Sequence, residues 1–94
     1  MITLHRTMMN MMTERSEILV ILMEECSEVI QEASKLIRFG DTDRDRIEKE
    51  LGDLLCMVEI MSQKEMIDSS VLTDHMDAKR DKLKLWSNID LHDD

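Results

Sequence analysis

Two stretches of this chain carry residues whose types and spacing could do chemistry. In Met23 to Ile30, MEECSEVI, Glu25 and Glu28 stand three residues apart, and in Lys49 to Cys56, KELGDLLC, Glu50 and Asp53 repeat that spacing. Residues i and i+3 of a helix are neighbours with Cβ atoms about 5 to 6 Å apart, so each pair could share one hard cation. Ile18, Leu22, Val29 and Leu36 share a helix face with the first pair, and Ile47, Leu54, Val58 and Met61 with the second. An amphipathic helix normally sends its acids to the face opposite the core. These acids instead border the core-facing stripe, where ionised carboxylates repel one another and pay desolvation. A divalent cation resolves the conflict. All-oxygen ligation selects Mg²⁺, Mn²⁺ or Ca²⁺ over zinc or copper, and Mg²⁺ typically takes its remaining ligands from water and substrate phosphates. The pattern therefore points to phosphate chemistry.

The competing reading, a solvated charged face, is the usual fate of helix glutamates, and placement beside the core argues against it. Glu32 shares the face of Glu25 and either extends an acidic wall or is simply solvated. A di-iron centre in a helical bundle needs Glu-x-x-His on two helices, whereas Glu25 and Glu50 are each followed at i+3 by a carboxylate, and His5, His75 and His92 lie elsewhere. Neither G-x-x-x-x-G-K nor G-x-S-x-G occurs. Metal-assisted attack by water remains.

The elements that must position these acids are helices. Ninety-four residues with no proline and two glycines leave long stretches of helix-permissive chain, which excludes all-β and α/β folds. The sequence predicts an all-α, antiparallel bundle of three main helices in a single domain spanning 1–94, with residues 1–12 an arm or a short fourth helix. The first helix runs from about 14 to 38, with Thr13 as N-cap and Gly40 in the left-handed C′ conformation. The second runs from about Thr42 to Lys64 after caps supplied by Asp41, Thr42 and Asp43. Asp68, Ser69 and Ser70 cap a third that reaches about Trp86, and 87–94 form a polar tail. Gly52, inside the second helix, is expected to mark a close approach of backbone or ligand.

A formal charge of −9 argues against a nucleic-acid or anionic-membrane surface. No stretch is long and apolar enough to span a bilayer, no signal-peptide pattern is present, and Cys26 and Cys56 lack CxxC spacing, so two reduced thiols in a cytoplasmic protein are expected. With only Phe39 and Trp86 aromatic and ten methionines, the core is Leu, Ile, Val and Met, and Met57, Met61 and Met66 belong to it or to a subunit interface. The dense basic run, Lys79, Arg80, Lys82 and Lys84, is a candidate for binding phosphates or a solvated face. Trp86 is a candidate for base stacking, against the commoner role of packing on its own core. His5 and His75 read as surface residues.

Together, Glu24-Glu25-Cys26-Ser27-Glu28 as E-E-x-x-E and Glu50-Leu51-Gly52-Asp53 as E-x-x-D about twenty residues later resemble the signature of the MazG-like all-α nucleoside triphosphate pyrophosphohydrolases. The resemblance covers roughly residues 15 to 62. It implies cleavage of a nucleoside triphosphate between the α and β phosphates, giving a monophosphate and pyrophosphate, by a helical homodimer or homotetramer with a role in cleansing the nucleotide pool. By position, Glu25, Glu28, Glu50 and Asp53 would hold Mg²⁺, for which Mn²⁺ could substitute. Glu24 lies about 100° from Glu25 and would serve the reaction by orienting a water or a ligand. Lys79, Arg80 and Lys82 would meet the phosphates. The alternatives are a phosphoribosyl-ATP pyrophosphohydrolase, a dUTPase or dCTPase-type enzyme on the same scaffold, or a non-enzymatic acidic adaptor that binds a partner helix.

Overall fold

The structure, a computed structural model, describes residues 12–40 and 43–91. Three helices account for most of them: α1 (Glu14–Phe39), α2 (Asp45–Gln63) and α3 (Ser69–Trp86), with no strand among the described residues. The all-α expectation is met, and the helix bounds differ from the expected ones by at most three residues. The arm at 1–12 lies, but for Met12, outside the described residues, as do Asp41, Thr42 and His92.

The helix ends follow from local chemistry. Thr13 adopts extended backbone and its Oγ1 accepts the Ser16 N–H at 3.1 Å, while its carbonyl accepts the Glu17 N–H at 2.9 Å. Glu14 and Glu17 place negative charge in the first turn, where the helix dipole favours it. At the other end, the Gly40 N–H donates to the Leu36 carbonyl and Gly40 takes φ +87°, ψ 174°. The positive φ is as expected, but ψ is extended rather than left-handed helical, so the chain leaves α1 in a conformation that only glycine adopts readily. Asp43 Oδ1 accepts the Asp45 N–H at 3.1 Å and so opens α2. The turn that follows α2 holds a non-glycine residue of positive φ, Glu65 at 58°, whose N–H donates to the Ser62 carbonyl. Asp68 caps α3 by accepting from the Ser70 N–H and hydroxyl at 2.9 and 2.6 Å.

The chain divides into two compact units, one ending at Met61 and one beginning at Ser62. In the first, α1 and α2 run antiparallel. Arg46, early in α2, lines a cavity with Glu32, Lys35, Leu36 and Phe39, late in α1, whereas Glu50 and Asp53, further along α2, meet Glu25, further back in α1. The buried residues of the described chain are Ile18 and Met57, one from each helix. The facing stripes are Ile18, Leu22, Glu25, Val29, Glu32 and Leu36 on α1, and Ile47, Glu50, Leu54, Met57 and Met61 on α2. Their spacings alternate between three and four, the signature of one helix face.

Both helices are right-handed and antiparallel, so advancing one residue, about 100°, from either facing stripe turns toward the same side of the pair. That side is apolar and open: Met23, Ile30 and Ile37 on α1 are 62%, 68% and 87% exposed, and Leu51 and Leu55 on α2 are 40% and 64% exposed. Stepping one residue back leads to the other side, which carries Glu24 and Glu28 on α1 and Lys49 and Asp53 on α2. The hairpin thus has an acidic face and an apolar face. In the second unit α3 has no buried residue, and Leu72, Met76 and Trp86 are exposed on it.

Candidate metal centre

Of the four acids singled out by spacing, three converge. One carboxylate oxygen each from Glu25, Glu50 and Asp53 lies within 4.8 Å of the others. All three residues are half-buried, at the acidic edge of the α1–α2 contact. Glu50 points along the facing stripe and Asp53 lies one turn on, so α2 offers two ligands from a single face while α1 offers Glu25 from across the helix pair. Glu28 is exposed and outside this group. It lies about 60° round α1 from Glu25, away from the apolar stripe, which turns it outward from α2. It remains near enough to act on Glu25 through its charge. Glu24 is exposed and also outside the group; its backbone carbonyl accepts the Ser27 hydroxyl at 2.7 Å.

Glu25 carries the electrostatic signature of the crowding. Withdrawal from water lifts its carboxyl above the ordinary value of 4.5, and the charges of Asp53 and then Glu50 lift it further, while Lys49 opposes them. Lys49, which belongs to neither acid motif, stands beside the three acids. Its Nζ lies 2.9 Å from Asp53 Oδ2 and 3.4 Å from Glu50 Oε1, and the hydrogen bond to Asp53 leads the causes that hold its ammonium above the usual lysine value. The i,i+4 spacing of Lys49 and Asp53 on one helix was a visible signal.

Glu32 does not extend the acidic wall: its Oε2 pairs with Lys35 Nζ at 3.0 Å, and it lines the cavity with Leu36, Phe39 and Arg46. Gly52 is exposed, and a Cβ built on it meets nothing within 4 Å. Among the described residues no protein backbone approaches it closely, because Gly52 points away from the α1 contact. Cys26 and Cys56 are free and exposed. Lys79, Arg80, Lys82 and Trp86 all lie exposed on α3, in the second unit. Lys79 Nζ sits 5.3 Å from the centroid of the Trp86 ring.

The donor set fits a hard divalent cation. Oxygen ligands around one octahedral Mg²⁺ at about 2.1 Å stand about 3 to 4 Å apart, so three oxygens already within 4.8 Å need only small side-chain adjustments. The donors of the group are all carboxylate oxygens, the ligand type that hard cations favour.

A family model of the MazG nucleotide pyrophosphohydrolase domain matches residues 6–84. The chain belongs to that family. No curated protein and no solved structure matches it. The MazG match runs through α1 and α2 and reaches the last turn of α3, so it takes in the three converging acids and the basic run together. A MazG domain is a nucleotide pyrophosphohydrolase domain, and Glu25, Glu50 and Asp53 form a possible acidic metal site within the matched residues.

Proposed function

We propose that this MazG domain hydrolyses a (deoxy)nucleoside triphosphate between its α and β phosphates, Mg²⁺-dependently, releasing a monophosphate and pyrophosphate in a nucleotide-pool role in the cytoplasm. The observation that carries the reading is the convergence of Glu25, Glu50 and Asp53 within 4.8 Å. These three hold the cation from two helices, so that the hairpin itself sets the ligand geometry. Glu28, one turn along α1, completes the ligand set by a change of rotamer. Glu24 orients a water or a ligand from the acidic face. When bound, the cation supplies the charge that neutralises the triphosphate and lowers the pKa of the attacking water. Lys79, Arg80 and Lys82 bind the outer phosphates, whose charge the acidic face would otherwise repel, and Trp86 stacks on the base. In this reading both compact units act as one domain.

The apolar face supports a homodimer or homotetramer. Leu19, Met23, Cys26, Ile30, Ala33 and Ile37 follow one another at alternating spacings of four and three, a seam of the kind that seats a second helix. Leu51 and Leu55 widen it from α2. A hairpin whose buried residues are Ile18 and Met57 is a small core, and chains of this size commonly complete theirs by association. The same face suits a non-enzymatic adaptor, but an adaptor leaves the three-acid convergence unexplained.

The test is pyrophosphate release from the full chain over all common ribo- and deoxyribonucleoside triphosphates, with and without Mg²⁺. Release that requires Mg²⁺ is expected for at least one of them, and the panel separates dUTPase or dCTPase-type selectivity from broad cleavage. Phosphoribosyl-ATP as a further substrate tests that alternative. Inorganic phosphate in place of pyrophosphate, or no Mg²⁺-dependent release from any substrate, sinks the reading.

A further inference from the structure

Lys49 makes ion pairs with two of the three converging acids. Its Nζ lies 2.9 Å from Asp53 Oδ2 and 3.4 Å from Glu50 Oε1. Its basic neighbours in the hairpin are committed elsewhere: Lys35 to Glu32 at 3.0 Å, Arg44 to Glu48 at 3.3 Å and Arg46 to Asp43 at 3.8 Å. Among these four, Lys49 alone faces the acidic group.

We propose that Lys49 is a displaceable counter-ion of the metal centre: its ammonium holds Asp53 and Glu50 together in the metal-free protein, and a divalent cation binds by taking its place. The proposal rests on the reading that Glu25, Glu50 and Asp53 hold that cation. Three formal negative charges converge on one small volume, and one positive charge already sits among them. A dication held by Asp53 would lie within a few ångströms of an ammonium on the same carboxylate, and like charges that close repel strongly. One of them must yield. The side chains differ in which can move: those of Glu50 and Asp53 are 15% and 44% exposed and that of Lys49 69%. The lysine ammonium is a strongly hydrated point charge on a flexible stem, so it leaves for water at little cost, whereas the acids are held by the helix pair.

Two consequences follow from this competition. Cation affinity is set below what the three acids alone would give, and the metal-free hairpin is protected from carboxylate repulsion. The simpler alternative is an ordinary exposed i,i+4 pair on a helix, with no bearing on metal binding.

The experiment is calorimetric titration of Mg²⁺ alone into the full-length wild type, Lys49→Gln, Lys49→Arg and Arg44→Gln, paired with thermal melts with and without saturating Mg²⁺. Removing the competitor is expected to tighten Mg²⁺ binding by about three- to tenfold in Lys49→Gln, while Lys49→Arg stays closer to wild type. Arg44→Gln removes the same charge from the same helical hairpin but not from the acids, and is expected to stay within about twofold of wild type. Lys49→Gln should melt lower than wild type without metal and together with it at saturating Mg²⁺. In protein labelled at lysine, the Lys49 side-chain resonance should shift as Mg²⁺ saturates. Equal affinity of Lys49→Gln and wild type, or equal tightening by Arg44→Gln, overturns the proposal while leaving the metal reading intact. No saturable Mg²⁺ binding by wild type overturns both.

Discussion

Glu25 on α1 and Asp53 on α2 hold carboxylate oxygens within 4.8 Å of each other across the helix pair, an arrangement that folding alone does not favour. Withdrawal from water and the charges of Asp53 and Glu50 all act against an ionised Glu25. Replacing it with the neutral isostere, Glu25→Gln, should therefore raise the melting temperature of the metal-free protein while reducing turnover by at least about 100-fold, since loss of even an outer-sphere partner of a metal site costs about 10- to 100-fold. Stability gained with activity lost marks a functional acid. A variant that melts lower than wild type without metal, or that keeps wild-type turnover, removes Glu25 from the centre.

The same crowding sets a pH dependence. The folded-state pKa of Glu25 lies above its ordinary 4.5, so the folded protein binds this proton more tightly than the unfolded chain does. Its contribution to stability is fully present below 4.5 and is lost as pH rises through the folded value. Asp68 has the opposite sign: the Ser70 hydroxyl, and then the Ser70 N–H, hold its carboxyl below 3.8, so its contribution is lost as pH falls through that lowered value. Subtracting melts of Glu25→Gln from those of wild type across the acidic range isolates the first effect, which should favour wild type more at low pH than at neutral pH. With Mg²⁺ present the trend should reverse, because the cation needs the carboxylate that protonation removes. Mg²⁺-induced stabilisation that does not grow with pH contradicts this account.

How far the residues announced the fold can be read helix by helix. Thr13, Gly40 and Asp68 are chemically explicit end signals, and each ends or begins a helix where its side chain or its freedom in φ demands. The end of α2 carried no such signal, because Glu65 takes a positive φ where a glycine would normally stand. Along α2, i,i+3 spacing places Glu50 and Asp53 as neighbours, and their carboxylates do lie together beside Glu25. It could not separate Glu25 from Glu28, since which of two neighbouring acids meets α2 depends on how the second helix sits against the first. The open apolar side of the hairpin was equally hidden. Its residues look like core in the sequence, and only pairing α1 with α2 shows that Met23, Ile30 and Ile37 are left outside.

That leftover face makes an assembly prediction. Ile30 is 68% exposed at the middle of the α1 seam, so Ile30→Asp adds no buried charge to the lone hairpin and should leave its helical circular dichroism unchanged. In a homodimer or homotetramer seated on this seam, the same aspartate would be desolvated without a partner, at a cost of several kcal/mol. Sedimentation should then show wild type as an oligomer and Ile30→Asp shifted to monomer, while Lys35→Asp, on the acidic side, leaves the wild-type mass unchanged. A monomeric wild type, or an oligomer indifferent to Ile30→Asp, places the interface elsewhere.

The pairing of Lys79 with Trp86 on α3 bears on substrate binding. The ammonium sits 5.3 Å from the centroid of the indole ring, and an exposed cation–π contact of this kind contributes about 0.5 to 1 kcal/mol. In the proposed reading Lys79 meets phosphate and Trp86 meets the base, so substrate must draw the ammonium off the ring. Trp86 is the single tryptophan of the chain, which makes its fluorescence a direct report of that exchange. Adding Mg²⁺ with a non-hydrolysable nucleoside triphosphate should change the wild-type emission, whereas inorganic triphosphate, which has no base to stack, should produce a smaller change. Lys79→Ala should begin with emission already altered and should weaken binding of the nucleotide analogue by about 10-fold, the scale of one charge-assisted phosphate contact. If saturating nucleotide leaves the emission untouched while calorimetry records binding, Trp86 and Lys79 form a surface pair of α3 alone, and the phosphates are held by other cations.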